Sequence, residues 1–415
     1  MSRTPHERVT AVTSAGGSLE KKFMPTRSMG CEECGKCLKS RVYLYTWAHS
    51  KERVELLRNK LHSDSESHKV PAMMALWNPL QTFFSGSGPA ASTAAPLQLR
   101  IVSFNIRYAT SSPFAGERPW EERAPHLTNQ ILHEVRFANF HDLQTKSSAG
   151  HPASGHVSAF VCLQEVLHTQ LVDVLAALNG LPTDEKGDEP AQGPHWAHIG
   201  VGRDDGEKKG EYSPIIYPVN TFNVLHYDTV WLSPTPDKPS KGWDAGSIRI
   251  LTIGVFEHKQ TKERLVAANT HLDDQSSKSR FESVKIILST LRKVHQQWSQ
   301  GRKLAVFLTG DFNSFPDQEA YMSMKEDGWL SDLHEEIPPR DRYGENVTFT
   351  GFQPDKWKDE RGRIDYIWFG PNDNSPGNKA LGSPWKPIGY AVLPNVFDNK
   401  VYLSDHRAVV GDLYL

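Results

Sequence analysis

Ala305-Val306-Phe307-Leu308-Thr309-Gly310-Asp311-Phe312-Asn313 is an apolar run that ends on an acid and an amide. Five consecutive buried-type residues bounded by glycine read as a β-strand. Placing a carboxylate at the end of a buried strand is costly unless something pairs with it. The same pattern recurs outward in both directions. Phe160-Val161-Cys162-Leu163 leads into Gln164-Glu165, and residues 99–104 lead into Asn105. Residues 265–269 lead to His271, Asp365 sits in the apolar run 364–369, and Asp405-His406 stands just before the final apolar stretch. One such acid would be unremarkable. Several strands ending this way imply side chains that converge on one site, held rigidly by a sheet.

Strands are expected at 99–104, 159–163, 229–232, 248–256, 264–269, 303–309, 364–369 and 408–415, and helices at 120–142, 167–178, 277–297 and 318–326. Strands interleaved with helices define an α/β class. Residues 184–210, rich in Gly, Pro and charge, read as a long loop. The first 96 residues differ. They are polar, with one short helix expected at 42–61, and residues 84–96 (F-S-G-S-G-P-A-A-S-T-A-A-P) read as a flexible linker. The expected organisation is therefore a disordered or loosely structured extension over 1–96 and a catalytic domain over 97–415.

Composition narrows the function. The 415 residues carry a net charge of −2, which argues against a protein that coats nucleic acid through a large basic excess. A nuclease stays open, because bound metal can supply positive charge locally. Three of the four cysteines crowd at Cys31, Cys34 and Cys37, without the fourth ligand a zinc site needs. Cys162 stands alone, so residues 97–415 cannot close a disulfide among themselves, which favours a reducing, intracellular setting. The sequence shows no clear membrane segment and specifies no protein partner. Oxygen-rich ligands favour Mg²⁺ or Mn²⁺ over zinc.

Taken in order, Phe104-Asn105-Ile106-Arg107, Leu163-Gln164-Glu165-Val166, Asn269-Thr270-His271-Leu272, Gly310-Asp311-Phe312-Asn313, Arg363-Ile364-Asp365-Tyr366 and Ser404-Asp405-His406 resemble the motifs of the endonuclease/exonuclease/phosphatase superfamily. The resemblance covers about 300 residues. It implies a four-layer α/β sandwich, two mixed β-sheets packed face to face with helices outside and the site at one end of the sheets. It implies a divalent-metal-dependent phosphoester hydrolase that uses Mg²⁺ (or Mn²⁺). Glu165, Asp405 and Asn105 are the implied metal residues. Asp311 would orient or deprotonate the attacking water, and Asn313 would orient the phosphate. His406 would contact the phosphate, with Asp365 holding its imidazole, and Glu211 would partner His271. Arg107 is the implied further phosphate contact.

Within the superfamily, Gly310 to Asp317, Tyr321 and Thr348-Phe349-Thr350 look most like the deadenylase and RNA 3′-exonuclease branch. The expectation is a nuclease with an RNA or single-stranded DNA substrate. The alternatives are an inositol-phosphate phosphatase, a sphingomyelinase-like phosphodiesterase, and a non-catalytic binding module on the same fold.

Overall fold

The computed structural model describes residues 97–144, 157–182, 187–301, 303–356, 358, 360–372 and 383–415. The expectations for residues 1–96, including the cysteine cluster, the short helix and the linker, lie outside them. In chain order the elements are β1 (Gln98–Asn105), α1 (Trp120–Gln144), β2 (Val157–Gln164), α2 (His168–Leu178), β3 (Trp196–Ile199), β4 (Ile215–Pro218), β5 (Phe222–Trp231), β6 (Ile250–His258) and β7 (Arg264–His271). They continue as α3 (Ser277–Ser299), β8 (Ala305–Asp311), α4 (Glu319–Asp327), β9 (Ser331–Asp332), α5 (Leu333–Glu336), β10 (Arg342–Gly344), β11 (Asp365–Gly370), β12 (Lys386–Val392) and β13 (Val409–Tyr414).

Seven strands form one mixed sheet in the order β10-β12-β13-β1-β2-β4-β3, and six form the other in the order β5-β6-β7-β8-β11-β9. Residue alternation explains how they pack. In β1, Leu99 and Ile101 face the second sheet, while Val102 and Phe104 face the helices. In β8, Ala305 and Phe307 face the first sheet, while Val306 and Leu308 face α3 and α4. The helices close the outside. In α3, Val284, Ile287, Leu288, Leu291 and Val294 recur at helical spacing and are buried. Ser276 caps it, accepting from Ser279 N at 3.1 Å. The result is the expected four-layer sandwich.

The face between the sheets changes character along each strand. β1 reads Leu99, Ile101, Ser103, Asn105 on that face, and β2 reads Phe160, Cys162, Gln164. β7 reads Leu265, Ala267, Asn269, His271, and β8 reads Ala305, Phe307, Thr309, Asp311. Parallel pairing sets Asn105 beside Gln164 and His271 beside Asp311, and antiparallel pairing sets Asp365 beside Asp311. The core therefore turns polar at one edge on every central strand.

A buried polar layer bridges the sheets just below that edge. Gln164 Nε2 donates to Asn269 Oδ1 at 2.8 Å and to Ser103 Oγ at 3.2 Å, and Thr309 Oγ1 donates to the same Asn269 oxygen at 3.0 Å. Backbone proximity matters here too. A Cβ on Gly310 would meet Thr270 O at 2.3 Å. Gly310→Ala is expected to cost about 1–3 kcal/mol by overpacking β7 against β8. The check is the urea midpoint, and an unchanged midpoint would contradict the close approach.

Two sequence expectations need correction. Residues 184–210 are not all loop, because β3 lies within them and pairs with β4. At four residues in a Gly- and Pro-rich setting, its apolar run is too short to register. The strand expected at 229–232 extends back to Phe222, since β5 is an edge strand whose exposed Asn223, Tyr227 and Asp228 interrupt the apolar pattern.

Candidate active site

Asn105 sits at the centre. Its Nδ2 lies 3.0 Å from Glu165 Oε1, 2.9 Å from Asp311 Oδ2 and 3.4 Å from His406 Nε2, and its Oδ1 accepts from Arg107 N at 3.0 Å. The amide N–H thus faces the acids while the oxygen is taken by backbone. This geometry suits an orienting amide better than the implied metal ligand. Arg107, Glu165 and Asn313 all have positive φ (57°, 56° and 46°). Left-handed backbone at non-glycine residues is strained, and it gathers where surroundings hold side chains in set directions.

Asp311 is clamped twice, by Asn105 on Oδ2 and by Asn313 N on Oδ1 at 2.9 Å. Its Oδ2 is also 3.5 Å from both His271 Nε2 and His406 Nε2. His406 Nδ1 lies 2.9 Å from Asp365 Oδ2. Burial works against a charged His406, but Asp365 and Asp311 outweigh it and raise the imidazole to about 10. Burial, reinforced by Asp311, raises Asp365 against the pull of His406. Thr348 Oγ1 accepts from Ile364 N and Asp365 N and fixes that strand end.

Glu165 and Asp405 show the electrostatics of the edge. Burial pushes Glu165 up, yet His271, Arg107, the Asn105 amide and His406 together hold it at about 2. Burial and the facing Glu165 lift Asp405 to about 6 despite His406 and Arg107. Six carboxylates (Glu117, Glu165, Glu211, Asp311, Asp365 and Asp405) meet three guanidiniums (Arg107, Arg123 and Arg203) and two imidazoles. The site keeps excess negative charge even with both imidazoles protonated. An all-oxygen acidic set with surplus negative charge fits a hard divalent cation. Three side chains, Asp311, Asp365 and His406, bring ligand atoms within 4.8 Å of one another, a grouping different from the implied one.

Other expected residues are placed with changed detail. Arg107 is buried and used by acids, with Nε 3.2 Å from Glu117 and Nη1 3.5 Å from Glu165, and it stacks over the Tyr108 and Phe114 rings. His271 Nε2 lies 3.0 Å from Asn313 Nδ2. Its Nδ1 is buried, has no hydrogen-bond partner and lies 3.7 Å from Glu211 Oε2. The two residues do meet, but that oxygen is held at 2.8 Å by Arg203. Glu117 and Arg203 escaped the sequence reading because they sit in loops without a preceding apolar run.

A cavity of about 270 Å³ opens beside Asp405, walled by Phe114, Phe349 and Phe352, with Lys356 at its rim. The Phe349 ring also packs 5.0 Å from His406. A larger groove of about 930 Å³ between α1 and residues 393–400 holds none of the converging residues. A second acid–histidine group, Asp332, His334 and Glu335, is occupied by guanidiniums, Arg363 on Asp332 at 2.6 Å and Arg342 on His334 at 3.0 Å. Among the described residues, no helix is long and apolar enough to cross a membrane.

Two facing mixed sheets with acids and histidines along one edge define a phosphoester-hydrolase architecture, and the sequence agrees. It matches the Endonuclease/Exonuclease/phosphatase family over residues 102–406, and the chain belongs to that family. A family protein from Bacteroides thetaiotaomicron is 29% identical, with a TM-score of 0.58 over 77% of this chain and 99% of its own. A mannosyl-6-phosphatase from the same bacterium is 29% identical, with a TM-score of 0.57 over 76% of this chain and 100% of its own. A Bacteroides vulgatus family protein is 27% identical, with a TM-score of 0.56 over 77% and 99%. No curated protein matches the sequence.

Proposed function

We propose that the protein is a Mg²⁺- or Mn²⁺-dependent phosphoester hydrolase acting on a small phosphorylated, sugar-like substrate. The observation that carries this reading is the aromatic cavity next to the acid–histidine edge: Asp405 lines it, and its Phe349 wall packs 5.0 Å from the His406 ring. Ring CH faces stack on aromatic walls, while polar rim groups meet hydroxyls. The likeness to a mannosyl-6-phosphatase supports the same substrate class.

Glu165 and Asp405 would hold the cation. When bound, it supplies positive charge to the phosphoryl oxygens and acidifies water. Asp311, fixed at both oxygens, is set to take the proton from the attacking water. His406, charged and oriented by Asp365, offers its Nε2–H to a phosphoryl oxygen. Asn313, whose Nδ2 lies 3.0 Å from both Leu272 O and His271 Nε2, would hold the His271 ring in place beside Asp311. The fixed donors act where charge develops on phosphorus oxygens.

The nuclease expectation rested partly on Thr348-Phe349-Thr350 and Tyr321. Thr348 and Thr350 serve the scaffold, Thr350 Oγ1 donating to Asp405 O at 3.0 Å, and Tyr321 donates to Asp332 at 3.0 Å. Nucleic acid binding draws on several phosphate contacts. Of the residues lining the cavity, only Lys356 is basic. A panel decides the substrate: a hexose 6-phosphate, 3′-labelled poly(A), duplex DNA, an inositol polyphosphate and sphingomyelin, each with Mg²⁺ and with Glu165→Ala as blank. Selective turnover of the sugar phosphate is the expected result. Preferential cleavage of poly(A) or DNA would restore the nuclease reading, and silence on every member would overturn the hydrolase proposal.

A further inference from the structure

Arg123 is fully buried, at 0% exposure, and among the described residues it makes no ion pair within 4 Å, Glu117, Asp405 and Glu165 acting on it only from farther off. Burying a guanidinium this way is costly unless every donor is satisfied. Here four of its five N–H groups donate to backbone carbonyls. Nε donates to Arg118 O at 3.0 Å, Nη1 to Ile106 O at 2.8 Å and to Leu403 O at 2.7 Å, and Nη2 to Arg107 O at 3.0 Å. Its face lies over the Trp120 ring.

Those carbonyls belong to segments that carry the site. Ile106 and Arg107 follow Asn105, and Leu403 precedes Ser404-Asp405-His406. Ser404 Oγ closes the same gap by donating to Asn105 O at 2.7 Å. The Arg107 carbonyl, aimed inward by its left-handed backbone, also accepts from Gln170 Nε2 at 3.1 Å. Gln170 Oε1 in turn accepts from Leu167 N at 3.1 Å, two residues past Glu165. One planar fork, with Gln170 beside it, thus joins the loops bearing Asn105, Glu165 and Asp405. A lysine ammonium could not span the same fork, because its donors radiate from a single atom.

We propose that Arg123 is a positioning residue for the divalent-cation site, setting the separation of Glu165 from Asp405. The inference rests on the cation reading given under Proposed function. Residues that hold ligands in place typically carry about 10–100-fold in metal affinity or activity when changed. Arg123 should therefore act on cation affinity and kcat while leaving KM nearly unchanged, whereas a general packing role would move stability alone.

The test uses the full-length chain as wild type, Arg123→Lys, Arg123→Met and Ile287→Ala. The last removes buried apolar bulk from the inner face of α3, away from the site, and serves as a control for general destabilisation. Mn²⁺ binding is followed by electron paramagnetic resonance of free Mn²⁺, and kcat and KM are measured on the best substrate of the panel. The expected result is a folded Arg123→Lys with Mn²⁺ affinity and kcat each reduced about tenfold or more and KM within about threefold. Ile287→Ala should keep wild-type Mn²⁺ affinity. Failure of Arg123→Met to fold leaves the Lys variant to decide. Wild-type Mn²⁺ affinity in Arg123→Lys, or an equal loss in Ile287→Ala, overturns the positioning role. Absence of Mn²⁺ binding by the wild type overturns the cation reading itself and the inference with it.

Discussion

Glu165→Ala is expected to reduce hydrolysis by about 10³-fold or more, roughly 4 kcal/mol of transition-state stabilisation. The carboxylate does three jobs at once. It accepts from Asn105 Nδ2, it faces Arg107 at 3.5 Å, and it adds to the burial that lifts the Asp405 carboxyl to about 6. Without it, Asp405 alone would have to hold the cation. Glu165→Gln separates charge from shape, since it keeps the side-chain volume at a left-handed backbone position. Both variants should fall together if charge is what matters. There is also a pH signature. Glu165 is depressed to about 2, so its stabilising contribution is present above about pH 4.5 and is lost as pH falls toward 2. Steady-state rates across Mg²⁺ concentration check the main effect. Wild-type turnover by either variant at low Mg²⁺ would remove Glu165 from the site.

His406→Ala is the second large effect, expected at about 10²-fold or more in kcat. The imidazole bridges Asp365, at 2.9 Å on Nδ1, and Asp311, at 3.5 Å from Nε2. Those two acids hold the proton on it against burial, which is how a histidine can stay cationic at neutral pH. The sign follows from linkage. The folded value, about 10, lies above the ordinary imidazole value, so the folded state binds the proton more tightly. The stabilisation is complete below about pH 6.5 and fades as pH rises toward 10. In chelator, the thermal midpoint of wild type minus His406→Ala should therefore shrink across that window. A constant difference would mean that His406 is neutral in the fold. Asp365→Asn should show the same fading at lower pH, because the imidazole loses the first of the two carboxylates that hold its proton.

Much of this site could be read from the chain because sheet geometry makes it periodic. On a strand, side chains two apart share a face, so an apolar run that ends in Asp311 or Asn105 announces a polar edge to a packed core. The same rule located His271, Asp365 and Glu165; the observed register sets His271 and Asp365 on either side of Asp311, and Glu165 directly after Gln164, the partner of Asn105. Short or interrupted strands broke the rule. β3 has four residues in a loop-like setting, and β12 carries Pro387 and Gly389, so neither presents a sustained pattern. Arg123, Glu117 and Arg203 were hidden for another reason. They act on backbone carbonyls or on partners in other loops, and such pairings leave no mark in local sequence. Substrate choice was the least legible, because a motif residue such as Thr348 braces the Asp365 backbone and would do so for any substrate.

On this reading the edge hydrolyses a phosphoester with the help of a divalent cation that Glu165 and Asp405 would hold. Full-length protein stripped by chelator and then titrated with Mg²⁺, with phosphate release from a hexose 6-phosphate as the readout, tests it most directly. The expected result is no release before Mg²⁺, a saturable rise on its addition, and no rise in Glu165→Ala. Full-rate release in chelator, or the same rise in Glu165→Ala, would contradict it.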